Sequence, residues 1–513
     1  MVRLADADTQ AEGGWIDTLE EKINNGFEPI ADAVTSVIFW EVPLGDYSFP
    51  LIVFWLVTAA AVFTIYFGFI QFRSLGTSIA LVRGKYSRDS DPGEVTHFQA
   101  LASAVSGTVG LGNIAGVAVA VTVGGPGATF WMILAGLLGM CTKFVECTLG
   151  VKYREVHEDG TVTGGPFRYM PVAFERFGAG VGKVAMGIFA VALILFGALG
   201  GNAFQSNQTY AQAVNVTGGE DSFLASSGAS FGFGVVLALL VGVVIIGGVT
   251  SIAKVTSKLV PVMALIYVGA CLLVIGINVT EVPGAVGRII EGAFAPEGVA
   301  GGAIGVLIIG FQRAAFSNEA GVGSAPIVHS AVKTRHPVSE GFVALLEPFI
   351  DTVVICTMTA LTIVIAAEGT NYDELVGGGL DSAGGVTLTS DSFDTFLPGF
   401  DNVLALAVAL FAFSTLVTWS YYTMRAWTSL VGKTTFNENV FKIVFCLFTV
   451  LGAVVDLGSV LSFADAMLFV CAIFNLLACY LLLPKVKEEV RSFMEGLRSG
   501  EIKEVPVEER ATT

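Results

Sequence analysis

Eleven long apolar stretches constrain this chain more than any other feature. They run over about 49–71, 97–123, 127–151, 182–211, 231–250, 258–279, 302–328, 341–366, 402–427, 437–456 and 459–483. About 20 helical residues cross a bilayer core, and lipid satisfies no backbone hydrogen bond, so such stretches have to be helices. The expected fold is an all-α polytopic membrane protein with about eleven transmembrane helices. Only 14% of the 513 residues are charged, against about 25% in soluble proteins. The mean hydropathy of +0.74 likewise excludes a soluble enzyme. A net charge of −17 argues against a nucleic-acid partner.

Basic residues set the expected orientation. Of the 27 Lys and Arg, 22 fall in the alternate loops after residue 72 and in the tail, among them Arg83, Lys85, Lys152, Arg154, Lys333, Arg335 and Lys433. That side is expected in the cytoplasm, with the N-terminus outside and the C-terminus inside. The opposite loop 367–401 holds seven acidic residues, including Asp373, Glu374 and Asp381, and no Lys or Arg. The domain reading follows. Residues 1–48 form an extracellular segment, in which Trp15 to Trp40 is amphipathic and either lies on the membrane or packs as an ordinary helix. Residues 49–71 are an added span, 97–279 and 302–483 two five-helix repeats, and 484–513 a cytoplasmic tail. The first 14 residues lack a basic start and an apolar run, so a cleaved signal peptide is not expected. The seven cysteines sit in apolar stretches without a CxxC pair, and the four histidines lie in loops or near membrane borders.

Two spans are not plain apolar sequence. One reads Ser103-Ala-Val-Ser106-Gly107-Thr108-Val109-Gly110-Leu111-Gly112-Asn113; the other runs from Phe311-Gln312-Arg313 through Phe316-Ser317-Asn318-Glu319 to Gly321, Gly323 and Ser324. Glycine costs a helix about 1 kcal/mol relative to alanine. Close packing of small residues would account for either segment alone. Together, and leaving out the first span, they open each group of five helices. Unwound helices in corresponding places mark inverted-repeat transporters, with substrate at the midplane. The half-helix after Gly112 begins with free N–H groups and a positive dipole end, which suit a carboxylate. The half-helix ending near Val109 leaves carbonyls, which suit Na⁺ or an ammonium group.

These residues also carry a resemblance. Ser106-Gly-Thr-Val-Gly-Leu-Gly-Asn-Ile-Ala-Gly-Val117, Gly124-Gly-Pro-Gly-Ala-Thr-Phe-Trp-Met132, Lys152-Tyr-Arg-Glu155, Gly164-Gly-Pro166, Phe311-Gln-Arg313, Phe316-Ser-Asn-Glu-Ala-Gly321 and Trp419-Ser-Tyr-Tyr422 resemble the alanine or glycine:cation symporters over roughly residues 40–485. Ile133 departs from the Trp often found there. The resemblance implies a LeuT-like 5+5 inverted repeat with broken core helices 1 and 6, plus one extra N-terminal span. It implies a Na⁺ site between core helices 1 and 8, made by carbonyls of Ser106, Val109 and Phe411 and hydroxyls of Ser414 and Thr415. Neutral oxygens suit a monovalent ion; Mg²⁺ and Ca²⁺ favour carboxylates. Candidate substrate contacts are Thr108, Gly110, Leu111 and Gly112 at the first break, and Phe311, Ser317 and Asn318 at the second. Asn202 and Gln205 share a helix face and either line the pocket or bond between helices. Trp419 either caps the pocket or marks an interface.

Intramembrane charges are expensive. Arg313 and Glu319 are expected to be paired, with each other or with Glu347 or Asp351, and Lys143 with Glu146. Gly124-Gly-Pro-Gly127 lacks the Lys-Ser/Thr of a phosphate loop and reads as an extracellular turn. The functional expectation is Na⁺-coupled symport of a small neutral amino acid, with alanine or glycine implied by the resemblance. A H⁺-coupled transporter, using a buried carboxylate, is the alternative. An intramembrane hydrolase lacks a mid-membrane histidine, and a channel normally needs symmetric pore rings.

Overall fold

The computed structural model describes residues 15–44, 47–178, 180–294, 302–368, 384–455 and 458–511. The first 14 residues, and Asp373, Glu374 and Asp381 of the acidic loop, lie outside them. Helices dominate: α1 Trp15–Ile38, α2 Leu51–Tyr66, α3 His97–Thr108, α4 Ala115–Gly124, α5 Ala128–Lys152, α6 Val181–Val216, α7 Ser227–Ile245, α8 Gly248–Ile277, α9 Val282–Phe294 and α10 Gly302–Asn318. There follow α11 Ala325–His329, α12 Pro337–Ala367, α13 Gly384–Asp394, α14 Asp401–Val431, α15 Thr435–Val454 and α16 Gly458–Ser499. Two short hairpins, Glu41–Leu44 with Tyr47–Pro50 and Glu155–Val156 with Val162–Thr163, are the sheets among the described residues.

Among the described residues, eight helices are long and apolar enough to cross a membrane, or nine with the bent α3–α4 pair as one span. The count of eleven is not established. The expected spans 49–71 and 302–328 are shorter helices, because α2 stops at Tyr66 and α10 at Asn318. The chain leaves α2 through Gly68 and Phe69, both with positive φ.

Side-chain capping fixes several starts. Thr96 accepts from the Gln99 N–H while Gln99 returns a bond to the Thr96 N–H, closing a capping box at α3. Thr434 caps α15 and Ser226 caps α7. Burial sorts the long helices into layers. The apolar windows of α5, α14 and α16 are 67% buried, those of α7, α8 and α15 33%, 33% and 28%. The outer helices expose Val243, Ile246, Ile443 and Leu447. A continuous apolar exterior of this kind needs lipid around it.

The amphipathic α1 packs along α16, with Phe39 edge-on to Phe469 at 5.2 Å. Gly124 to Gly127 forms the turn between α4 and α5, with Gly125 at φ +66°. Part of the expected 367–401 loop is helical: α13 lies on the start of α4, where Thr389 donates to the Ile114 carbonyl at 3.3 Å. The expected tail from 484 starts as a continuation of the last helix. Pro484 sits inside α16, which continues to Ser499. Residues beyond it fold back as an arm on 84–91, through Val505 N–H to Lys85 O, Ala511 N–H to Ser87 O and Asp89 N–H to Glu509 O.

Candidate functional site

The first interrupted span is broken where its glycines lie. The chain leaves α3 at Thr108, runs extended through Val109 and Gly110, makes one 3₁₀ turn over Leu111–Asn113 and enters α4 with a 60° bend. Lipid cannot satisfy the opened backbone, and side chains do so. The Gly110 N–H donates to Asn113 Oδ1 at 3.0 Å, and the Leu111 N–H to Gln205 Oε1 at 3.3 Å. Asn113 Nδ2 reaches Asp351 Oδ1 at 2.7 Å and Ser317 Oγ at 3.0 Å. The N–H groups of Gly110 and Leu111, at the break expected to hold a carboxylate, are therefore taken by amide oxygens of Asn113 and Gln205.

Beside this break, α3 and α14 bring together a set of uncharged oxygens. The Thr415 hydroxyl donates to the Ser106 carbonyl at 3.1 Å, and the Ser414 hydroxyl lies 3.5 Å from the same carbonyl and 2.9 Å from that of Phe411. Ser106 Oγ donates to the Ser414 carbonyl at 2.9 Å, and Thr418 Oγ1 to Ser106 Oγ at 3.0 Å. All five residues are buried. Back-bonding to Phe411 is ordinary for a helical serine; the bonds that cross to Ser106 are not. Val109 is buried at the end of α3, with its N–H on the Val105 carbonyl at 2.7 Å.

A cavity opens on the other side of Thr415. Thr108, Gly110, Gly112, Gln205 and Trp419 line it, together with Phe196, Phe316, Gly200, Gly201 and Glu319. Its volume is about 20 Å³, room for one water molecule. Trp419 packs edge-on to Phe196, with ring centres 4.7 Å apart, and donates Nε1–H to the Gly107 carbonyl at 3.3 Å. Gly201 admits the indole: a Cβ there would lie 2.6 Å from its Cγ. Gly200 and Gly201 belong to a π-helical turn, Leu199–Ala203, within α6. Such turns recur at functional sites.

A sodium:alanine symporter family model matches residues 35–507. The chain belongs to that family. The sodium/alanine symporter AgcS of Methanococcus maripaludis is 37% identical over 445 residues, covering 86% of this chain and 93% of AgcS. A probable sodium/glutamine symporter, GlnT of Bacillus subtilis, is 32% identical over 454 residues, covering 88% and 89%. The crystal structure of MhsT in complex with L-phenylalanine superposes with a TM-score of 0.54 at 14% identity, covering 76% of this chain and 88% of MhsT. This family member is thus a multi-pass membrane transporter of LeuT-like fold, and not an enzyme.

Not all the residues singled out in this symporter-family chain reach the cavity. Asn202 turns to α15, donating to the Phe445 carbonyl at 2.8 Å and accepting from Thr449 Oγ1 at 2.9 Å. Phe311 tilts against Trp131, with centroids 6.5 Å apart. Ser317 donates to Asp351 Oδ2 at 2.7 Å, and Asn318 to Thr352 Oγ1 at 2.9 Å. Leu111 reaches Gln205 through its backbone alone among these contacts. Of the aromatic walls, Phe316 lies in the second interrupted span without being a predicted contact, and Phe196 carries no sequence signal, because one Phe in an apolar helix resembles any other. The glycines beside Asn202 were the available signal.

The second break holds its charges differently from the expected pairing. Glu319 has φ +55°, Gly321 +97° and Gly323 +88°, so the chain leaves helical geometry for several residues before α11. Glu319 Oε2 accepts from Ser324 Oγ at 2.5 Å; it is not paired with Arg313. Lys143 bonds Glu347 Oε1 at 2.9 Å, whereas Glu146 accepts from Asn475 Nδ2. Asp351 accepts from Asn113, Ser317 and Thr352. His97 and His329, expected at borders or in loops, are both buried and both face Glu340.

Proposed function

We propose that this transporter carries a small neutral amino acid, alanine or glycine, into the cytoplasm together with Na⁺, by alternating access. The observation that carries the reading is the oxygen cluster of Ser106, Phe411, Ser414 and Thr415, which touches the cavity at Thr415. Four buried neutral oxygens supply what a monovalent hard cation takes, without the carboxylates that favour divalent ions. An ion there would draw on the carbonyls of Ser106 and Phe411 and on lone pairs of the two hydroxyls, with Val109 as the further candidate. The substrate carboxylate would take over the N–H groups of Gly110 and Leu111. Its side chain would meet Phe196, Phe316 and Trp419, bulky walls that favour a small residue. The names of AgcS and GlnT support Na⁺ and an amino acid, and differ on which one. The same reading puts the basic loops and the C-terminal arm in the cytoplasm and α13 outside.

Uptake of radiolabelled alanine into proteoliposomes tests it. An inward Na⁺ gradient is expected to drive accumulation, and H⁺ or Li⁺ gradients are not. Accumulation driven by a H⁺ gradient alone would overturn the reading in favour of proton coupling, with Glu319 in the cavity wall as the carboxylate to examine.

A further inference from the structure

A buried row of charged and titratable side chains has no part in the ion cluster or the cavity. Glu340, on α12, serves two imidazoles. Its Oε2 meets Nδ1 of His97, and its Oε1 lies 2.6 Å from Nδ1 of His329. His97 begins α3, the first half of the first broken helix, and His329 ends α11, the second half of the second. Glu340 therefore joins α12 to the two half-helices that adjoin the basic loops, and these half-helices are also bonded to each other through their flanking backbone, Glu94 N–H to Ala331 O, Lys333 N–H to Val95 O and Thr334 N–H to Pro92 O.

The two rings differ in what faces their other nitrogen. Nε2 of His97 lies 2.6 Å from Ser87 Oγ, a hydroxyl that donates as readily as it accepts. A neutral His97 satisfies both contacts. Nε2 of His329 faces Glu347 Oε2 at 3.7 Å, an ion-pair distance. A neutral imidazole has one N–H, and His329 stands between two carboxylates.

The other titratable groups packed around the row have partners of their own. Glu146 accepts from Asn475, Glu319 from Ser324, and Asp351 from Asn113, Ser317 and Thr352. Arg154 donates to the carbonyls of Pro92, Ser330, Val332 and Thr334. Cys147 on α5 and Tyr422 on α14 complete the surroundings.

We infer that His329 is a proton-binding site that holds the basic-loop face of the transporter shut. Protonated, it is clasped by Glu340 and Glu347, and the joined α3 and α11 stay docked on α12. When the proton leaves for water, Glu347 faces a ring lone pair, and the joined half-helices leave α12 more readily. Opening and proton release are then linked, each favouring the other. The inference takes its direction of transport from the proposed function, but its test reads conformation and needs neither Na⁺ nor substrate.

Spin labels at Ser90→Cys, in the exposed approach to α3, and Lys433→Cys, in the exposed loop before α15, report opening as a distance distribution. The seven native cysteines are replaced beforehand. Measurements at about pH 5.5 and about pH 8 bracket the free-imidazole value of about 6.5. The open-to-closed ratio is expected to rise roughly fivefold or more at the higher pH. His329→Gln, and separately Glu347→Gln, which removes the need for a second N–H, are expected to give the same distribution at both pH values. His157→Gln, which alters a ring bonded to Thr163, is expected to keep the shift. A parent protein with no shift would overturn the inference, as would His329→Gln and Glu347→Gln proteins that shift as the parent does.

Discussion

Gly110→Ala places one methyl group between the cavity and the oxygen cluster. Gly110 has φ −140° and ψ −151°, extended backbone that any residue adopts, so the whole effect comes from space. The new Cβ would lie 2.6 Å from Thr415 Oγ1, 3.4 Å from Gln205 Oε1 and 3.5 Å from Thr415 Cβ. A 2.6 Å contact has to be relieved. Thr415 is β-branched, with few χ1 choices, and its hydroxyl is held at 3.1 Å on the Ser106 carbonyl. Rotating it away removes that oxygen from the cluster. Overpacking of this kind costs about 1–3 kcal/mol. Falling on the ion site, that is a roughly 5- to 150-fold rise in the Na⁺ concentration for half-maximal alanine uptake. Gly112→Ala is the control. Its Cβ would meet the Phe316 ring at 3.4 Å and Ser317 Cα at 3.7 Å, near-ordinary contacts, so the Na⁺ dependence is expected to move less than about threefold. Gly110→Ala combined with Thr415→Ala removes the clashing oxygen and is expected to be no worse than Thr415→Ala alone, a failure of additivity that marks direct contact. Normal Na⁺ dependence in Gly110→Ala, or strict additivity in the double variant, would refute the argument.

Ser414→Ala removes a hydroxyl worth about 1–3 kcal/mol as a ligand, so Na⁺-dependent uptake is expected to need roughly 5- to 150-fold more Na⁺; an unchanged Na⁺ curve at normal expression places the ion elsewhere. Lys143→Met strands Glu347 in the interior, at a cost of about 3–5 kcal/mol, and is expected to lower Tm sharply in detergent. Lys143→Met with Glu347→Leu is expected to recover most of the loss, and equal Tm values for the single variant and the parent contradict the pairing. Deleting residues 500–513 removes the exposed pairs Lys85–Glu504 and Arg88–Glu509. Such pairs contribute little stability, but the deletion also removes the buried Val505 and Ala511 and the backbone bonds of the arm to 84–91, so Tm is expected to fall modestly while trypsin cuts faster after Arg88. Unchanged cutting would show that the arm does not protect that segment.

The helical segments and both breaks were legible because they are local. Apolar length, glycine spacing and the absence of charge act over one stretch of chain, and Gly110 and Gly323 announce a break without reference to any neighbour. Partner choice was not legible. Lys143 and Glu146 share a face at i and i+3, but in the fold that face meets Glu347 and Asn475, which lie about 200 and 330 residues further on. Asn202 and Gln205 likewise share a face, yet the π turn at Leu199–Ala203 directs Asn202 to Phe445 and leaves Gln205 at the cavity. Periodicity identifies a face without naming the helix that covers it. The histidines illustrate the same limit. His97 and His329 each stand at a helix terminus, where sequence suggests a membrane border, and only the approach of α12 makes them a buried pair around Glu340.

Thr415 belongs to both the oxygen cluster and the cavity wall, and this gives coupling a physical basis. Its hydroxyl hydrogen points to the Ser106 carbonyl in the hydrogen-bonded arrangement. An ion among those oxygens would turn the hydrogen away and free the carbonyl, and the same hydroxyl oxygen adjoins Gly110, beside which Gln205 holds the Leu111 N–H. On the proposed sites, ion binding would rearrange the groups that a substrate carboxylate would displace. A ligand shifts another's affinity only through such differential contacts, and the effect is reciprocal: Na⁺ would raise alanine affinity by the factor by which alanine raises Na⁺ affinity. Equilibrium binding on purified protein, titrating each against the other, measures both factors. Thr415→Ser keeps the hydroxyl and is expected to keep the coupling. Thr415→Val keeps the shape, loses the hydroxyl and is expected to reduce the coupling factor towards one, with residual alanine binding that no longer depends on Na⁺. Alanine affinity that is independent of Na⁺ in the parent protein, or full coupling in Thr415→Val, would remove Thr415 from the link between the two sites.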